Sequence, residues 1–100
     1  MKLKFTDDFK EGYLKVIEFL PRPARFYRNL IRIIRLLEQG YKIPPNFTVN
    51  SIKGRRNWYN CYLYRDAERI IILQYIVESE DVILLRIGPI EDFIDFELNN

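Results

Sequence analysis

Lys2-Leu3-Lys4-Phe5 alternates polar and apolar side chains, the period of a strand, and predicts a short one at the start of the chain. The alternation stops at Thr6-Asp7-Asp8. Asp8 with Glu11 three residues later has the form of a capping box, so a helix is expected to begin there. Phe9, Tyr13, Val16, Ile17 and Leu20 then recur on one face of that helix. Pro21-Arg22-Pro23 breaks it, and Pro23 suits the first turn of a second helix, where a missing N–H costs nothing. Phe26, Leu30, Ile33, Ile34 and Leu37 form the second apolar stripe, and Gly40 is expected just past the helix end. The simplest arrangement is two antiparallel helices joined at a proline turn.

Residues 41–56, with Pro44-Pro45-Asn46 and Gly54, read as an ordered loop anchored by Ile43, Phe47, Val49 and Ile52. Beyond it the period changes to two. Asn57 to Arg65, Arg69 to Val77 and Val82 to Ile87 predict three strands, turning at Asp66-Ala67-Glu68 and Glu78-Ser79-Glu80-Asp81. Gly88-Pro89 ends the last strand, and Ile90 to Phe96 is expected to form a final short helix. The order β-α-α-β-β-β-α contains no internal repeat. It predicts an α+β domain over residues 1–100: a small antiparallel-rich sheet with an N-terminal strand, a two-helix hairpin on one face and a three-strand C-terminal meander.

Composition supports a packed domain. Of 100 residues 48% are hydrophobic and 15% aromatic, enough for a core and too apolar for a disordered chain. The longest aliphatic runs, Ile70-Ile71-Ile72-Leu73 and Val82-Ile83-Leu84-Leu85, fall far short of the roughly 20 residues of a membrane span. The first residues show no apolar segment of the secretory kind, so the expected compartment is the cytosol and no membrane partner is expected. A single cysteine, Cys61, makes neither an internal disulfide nor a cysteine zinc cluster. There is no histidine, which removes Ser-His and Cys-His nucleophile systems and histidine-ligated zinc. No metal or cofactor is expected. Acid–base chemistry falls to carboxylates, tyrosines, lysines and arginines.

The formal net charge of +2 conceals a division. Residues 1–56 hold 13 Lys/Arg and 5 Asp/Glu, a net of +8, and residues 57–100 hold 3 and 9, a net of −6. Arg25, Arg28, Arg32 and Arg35 lie opposite the apolar stripe of the second helix. A solvated helix face is the ordinary reading of such a run. Arginine in place of lysine, with Glu38 the one acid in that helix, points instead to an anionic partner at Arg28, Arg32 and Arg35, either RNA phosphate or an acidic peptide. Lys53-Gly54-Arg55-Arg56 is a second basic cluster, at the entry to a strand bearing Trp58, Tyr59, Tyr62 and Tyr64. Basic residues interleaved with aromatics hold phosphates and stack bases, which makes Arg55, Arg56, Trp58 and Tyr64 candidate RNA contacts. Strict alternation places Trp58, Asn60, Tyr62 and Tyr64 on one face, and groups Val82, Leu84 and Arg86 against Ile83, Leu85 and Ile87. Arg86, the one charge in an aliphatic strand, requires a cross-strand acid or an anionic ligand.

Several of these residues form a longer pattern. Phe47-Thr48-Val49-Asn50-Ser51-Ile52-Lys53-Gly54, Cys61-Tyr62-Leu63, Tyr75-Ile76-Val77, Leu84-Leu85-Arg86-Ile87-Gly88 and Asp92-Phe93 together resemble the YafQ branch of the RelE-like toxins. The spacing from Phe47 to Gly54 and from Tyr75 to Gly88 agrees with that branch, as does the element order over nearly the whole chain. Asn50, Tyr62 and Ile90 stand where the branch carries histidines, and Asp66 stands near its strand-end aspartate.

The resemblance implies a small sheet with two N-terminal helices, and a toxin of a type II toxin–antitoxin pair that cleaves mRNA on the ribosome. Its partners would be a cognate antitoxin and ribosome-bound mRNA. Cleavage by the RNA 2′-hydroxyl needs a base, an acid at the leaving oxygen and cations around the phosphate. Lys53 and Arg86, with Arg55 or Arg56, are the expected cations, Tyr62 the acid on the same sheet face as Arg86, and Asp66, Lys53 or the RNA context the base. A non-catalytic relative that binds RNA or an antitoxin-like protein is the alternative, and a gyrase inhibitor of the ParE-like branch a third.

Overall fold

A computed structural model describes residues 1–93. The elements are β1 (Lys2–Phe5), α1 (Asp7–Phe19), α2 (Ala24–Glu38), β2 (Val49–Ser51), β3 (Trp58–Arg65), β4 (Ile70–Val77), β5 (Asp81–Pro89) and a 3-10 turn at Ile90–Phe93. The five strands form one sheet in the order β1-β5-β4-β3-β2. β1 runs parallel to β5 and the other pairs are antiparallel. The two helices cover one face, so the expected α+β architecture is the one observed.

Local chemistry explains the helix ends. Thr6, not Asp8, caps α1: its Oγ1 accepts from the Phe9 N–H at 3.0 Å, while Asp7 and Asp8 lie in the first turn. Thr6 sits where extended backbone leaves β1, and there its hydroxyl reaches the orphan amides. The acids of the first turn interact favourably with the helix dipole instead. α2 ends as expected. Gly40 takes a φ of 73°, and its amide and that of Tyr41 donate to Leu37 and Leu36, a Schellman closure.

The core lies between helices and sheet. Phe9, Val16 and Leu20 from α1, and Phe26, Leu30, Ile33 and Leu37 from α2, pack on Cys61, Leu63, Leu73, Tyr75, Val82, Leu84 and Ile87. α1 approaches β5 so closely at Gly12 that a Cβ there would stand 2.2 Å from the Ile87 carbonyl oxygen.

Three sequence expectations need correcting. The segment read as a loop contains a strand, because Val49, Asn50 and Ser51 pair with Cys61, Asn60 and Tyr59. A three-residue edge strand carries no period of its own and forms only because β3 is there to pair with it. Second, the β3–β4 register shifts between Tyr62 and Tyr64, with Leu63 the extra residue. Leu63 and Tyr64 therefore both join the helix-side core, so Tyr64 does not share a face with Tyr62. Third, β5 shifts between Leu84 and Arg86, with Leu85 the extra residue. Val82, Leu84 and Ile87 face the core, and Arg86 turns to the opposite face. Each bulge reverses the alternation beyond it. The final helix extends as a 3-10 turn to Phe93, and the rest of that expected helix lies outside the described residues.

Candidate functional site

Sheet register assembles a polar row on the face away from the helices. Asn50 lies opposite Asn60, Asn60 opposite Gln74, and Gln74 opposite Arg86, one residue from each of four strands. Trp58, Ile76 and Ile83 flank this row on one side, and Tyr62, Ile72 and Gly88 on the other. Asn60 and Gln74 are each 1% exposed, and amides so deeply buried must be hydrogen-bonded. Gln74 Nε2 donates to Asn60 Oδ1 at 3.1 Å, and Arg86 Nε donates to Gln74 Oε1 at 3.2 Å. The guanidinium carbon of Arg86 lies 4.4 Å from the centre of the Phe93 ring. An amide aims Arg86 and an aromatic ring backs it. The sequence allowed two partners, a cross-strand acid or an anionic ligand, and the paired position holds no acid: it is the amide of Gln74, which orients a guanidinium without adding charge.

Sequence reasoning missed Asn60 and Gln74. Gln74 is the one polar side chain among aliphatics and a tyrosine in Ile70–Val77, which was the available signal. Arg86 also lines a cleft of about 290 Å³ between α1 and the end of β5, with Lys15 and the carboxylates of Asp8, Glu11 and Asp92. β1 stops opposite Leu84, which leaves room for this cleft beside the remainder of β5.

The basic cluster sits in the tight β2–β3 loop, where Gly54 and Asn57 take φ values of 79° and 64°. Lys53, Arg55 and Arg56 are all exposed. The Arg55 guanidinium carbon lies 4.7 Å from the Trp58 ring centre, so the two side chains form one cationic, aromatic surface at the Trp58 end of the outer face. Tyr62 is half-buried and on the same face as Arg86. Two strands and two residues separate their backbones, about 12 Å from ordinary sheet spacings, a gap that two long side chains can close on a bound phosphodiester.

The other expected site residues lie elsewhere. Tyr64 is 8% exposed, edge-on to Phe26 and covered by the Arg25 guanidinium at 4.7 Å. No base can stack on it. Its hydroxyl donates to Asp66 Oδ2 at 2.8 Å, and that bond holds the phenol above its ordinary pKa. The other Asp66 oxygen accepts from the backbone amides of Glu68 and Arg69 at 2.8 and 2.9 Å. Those bonds, first the one from Glu68, lower the carboxyl below its ordinary value. Asp66 builds the β3–β4 turn and is too weakly basic for the role expected of it. Arg28, Arg32 and Arg35 project from α2, behind the sheet relative to the row. Burial pushes the Cys61 thiol up to about 12, so it offers no thiolate.

Asp66 gives a pH prediction. Its folded-state pKa is depressed, so its contribution to stability is complete above the ordinary aspartate value of 3.8 and disappears as pH falls through the lower folded value. Asp66→Asn should lower the unfolding temperature at neutral pH, with the difference from wild type shrinking in acid. Thermal melts across that range check it, and a constant difference would contradict the assignment.

No family model matches the chain, and no curated protein matches it in sequence. Solved structures do match. A copper-bound mutant toxin from Helicobacter pylori aligns with a TM-score of 0.76 and 22% identity over 92% of this chain and 97% of that one. YafQ from E. coli gives 0.74 and 12% over 92% and 96%. A chain of the RelB–RelE antitoxin–toxin complex from Methanococcus jannaschii gives 0.63 and 16% over 93% and 96%. The fold is that of the RelE/YafQ-like toxins. Two of the three positions where the YafQ-like pattern carries histidine, Asn50 and Tyr62, fall in or beside the polar row, and Ile90 opens the 3-10 turn after β5. On a RelE/YafQ-like scaffold this face therefore carries a phenol and an arginine, with the amides of Asn60 and Gln74 buried beneath them.

Proposed function

We propose that this chain is the toxin of a type II toxin–antitoxin pair, acting in the cytoplasm as an endoribonuclease on ribosome-bound mRNA. One observation carries the reading: the amide row Asn50–Asn60–Gln74 ends on an oriented Arg86, with the Lys53–Arg56 loop at the Trp58 end of the same face. Arg86 stabilises the charge that builds on the phosphate during attack by the 2′-hydroxyl. Lys53, Arg55 and Arg56 hold the flanking phosphates, and Trp58 stacks a base. Tyr62 protonates the leaving oxygen. With Asp66 committed to its turn, the base is Glu11 or Asp92 in the cleft beside Arg86. Acid and base then stand on opposite sides of the arginine, as in-line displacement needs. The antitoxin relationship rests on the fold, since solved relatives include the DinJ–YafQ and RelB–RelE complexes.

Induction of the chain alone should arrest growth, and co-expression of a small protein encoded beside it should restore growth. Arrest that survives Arg86→Ala, Lys53→Ala and Tyr62→Phe together would overturn the site. The amides of the row neither give nor take protons, which favours a binding-only relative as the second reading. That reading predicts no arrest and no cleavage, with a stable antitoxin complex. A DNA-damage response without mRNA cleavage would identify a gyrase inhibitor.

A further inference from the structure

The outward face of α2 plays no part in the reaction proposed above. Arg28, Arg32 and Arg35 form a ridge along it, directly opposite the buried stripe of Phe26, Leu30, Ile33 and Leu37. Tyr27, Ile31 and Leu36 lie beside the ridge and line, with the three arginines, a shallow groove of about 350 Å³. Tyr27 is 49% exposed, a large ring left in solvent with a cation next to it. Among the described residues none of these three arginines is in an ion pair. The Arg32 guanidinium rests over the Phe47 ring at 5.8 Å, and α2 holds one acid, Glu38, against four arginines. A ridge of this kind, cationic along its crest and apolar along its flanks, has a definite complement.

We propose that this face docks an acidic amphipathic helix of a partner protein. Spacings of four and three residues set the guanidinium groups about one helical turn apart, over roughly 10 Å. Carboxylates repeating with the same spacing on a partner helix meet them as charge-assisted pairs, which arginine makes bidentate. Apolar residues beside those carboxylates cover Tyr27, Ile31 and Leu36, which supply the desolvated contact that ion pairs on an open surface lack. RNA suits the face less well. The groove is lined mainly by apolar atoms and offers one aromatic ring, whereas the Lys53–Trp58 loop interleaves cations with an indole. The docking face and the polar row lie on opposite sides of the sheet, so the contact stands whether or not the chain cuts RNA.

The test uses the intact chain and three fluorescent probes in anisotropy titrations. The first is an amphipathic peptide of about four helical turns with glutamates spaced four and three beside leucines. The second is the same peptide with lysine for glutamate, and the third a single-stranded RNA of mixed sequence. Only the acidic peptide should bind through α2, and Arg28→Gln, Arg32→Gln and Arg35→Gln combined should weaken it at least tenfold, about 1.4 kcal/mol. Arg-to-Lys replacement at the three positions should keep part of the affinity, and Lys10→Glu on the exposed side of α1 should leave it unchanged. If the triple Gln variant melts early, Tyr27→Ser alone should still weaken the peptide. Equal binding of both peptides, binding unmoved by the α2 variants, or RNA lost in place of the peptide would each overturn the proposal. Because no step reads cleavage, a negative result leaves the toxin reading as it was.

Discussion

Arg86→Ala should lower the rate of mRNA cleavage by two to three orders of magnitude, the usual cost of removing one group that stabilises charge in the transition state. The prediction rests on how the side chain is held. Gln74 accepts from its Nε, Asn60 fixes Gln74, and Phe93 backs the guanidinium, so the charge is oriented before substrate arrives. Losing it removes one hydrogen bond to the buried Gln74, a stability cost of about 1–3 kcal/mol. Such a variant remains folded at 25 °C if the wild type has ordinary domain stability. Arg86→Lys keeps a charge but loses the planar fork, and should recover only part of the rate. Gln74→Leu removes the aiming group and should reduce cleavage less than Arg86→Ala. A rate equal to wild type in Arg86→Ala, with the variant folded by circular dichroism, would remove Arg86 from the chemistry.

The second large effect is on stability, and its sign opposes helix propensity. Alanine is better than glycine in a helix interior by about 1 kcal/mol. Gly12→Ala should nevertheless destabilise the protein, because the added Cβ would stand 2.2 Å from the Ile87 carbonyl oxygen. Backbone, not a flexible side chain, occupies that space, so α1 must withdraw from β5. Overpacking of this kind costs about 3 kcal/mol or slightly more. For a domain of this length that lowers the unfolding temperature by roughly 12–24 °C. Ala at Gly40 meets nothing within 4 Å, and its cost comes from the φ of 73° alone, so it should be the milder change. A Gly12→Ala melt at or above the wild-type temperature would mean that α1 and β5 are not in this contact.

The helices and long strands were legible because their apolar positions repeat over several turns or pleats. Phe26, Leu30, Ile33 and Leu37 can face the core together only in a helix, and they do. β2 was not legible, since three residues of an edge strand hold no period and depend on β3. The bulges at Leu63 and Leu85 were not legible either, because an extra residue leaves composition and propensity unchanged and appears only in the register. They decide where site residues go. Without the first, Tyr64 would face outward, and without the second, Arg86 would point into the core with Val82 and Leu84. The basic loop and Arg86 were visible as charge in apolar surroundings. Asn60 and Gln74 stood in central strands as isolated amides, but their pairing with Arg86 needed the sheet order. Asp66 followed the opposite course. A strand-end aspartate looks the same in sequence whether it accepts a substrate proton or, as here, closes a turn.

Under the proposed function, the polar row and its arginine cut RNA in ribosomes that are translating it. Primer extension after induction, on a translated copy and an untranslated copy of one message, tests this directly. New 5′ ends should appear within the reading frame of the translated copy alone, and should vanish with Arg86→Ala. Equal cutting of both copies would contradict the ribosome's part in the account, and no new ends in either, with the chain expressed and folded, would contradict the cleavage itself.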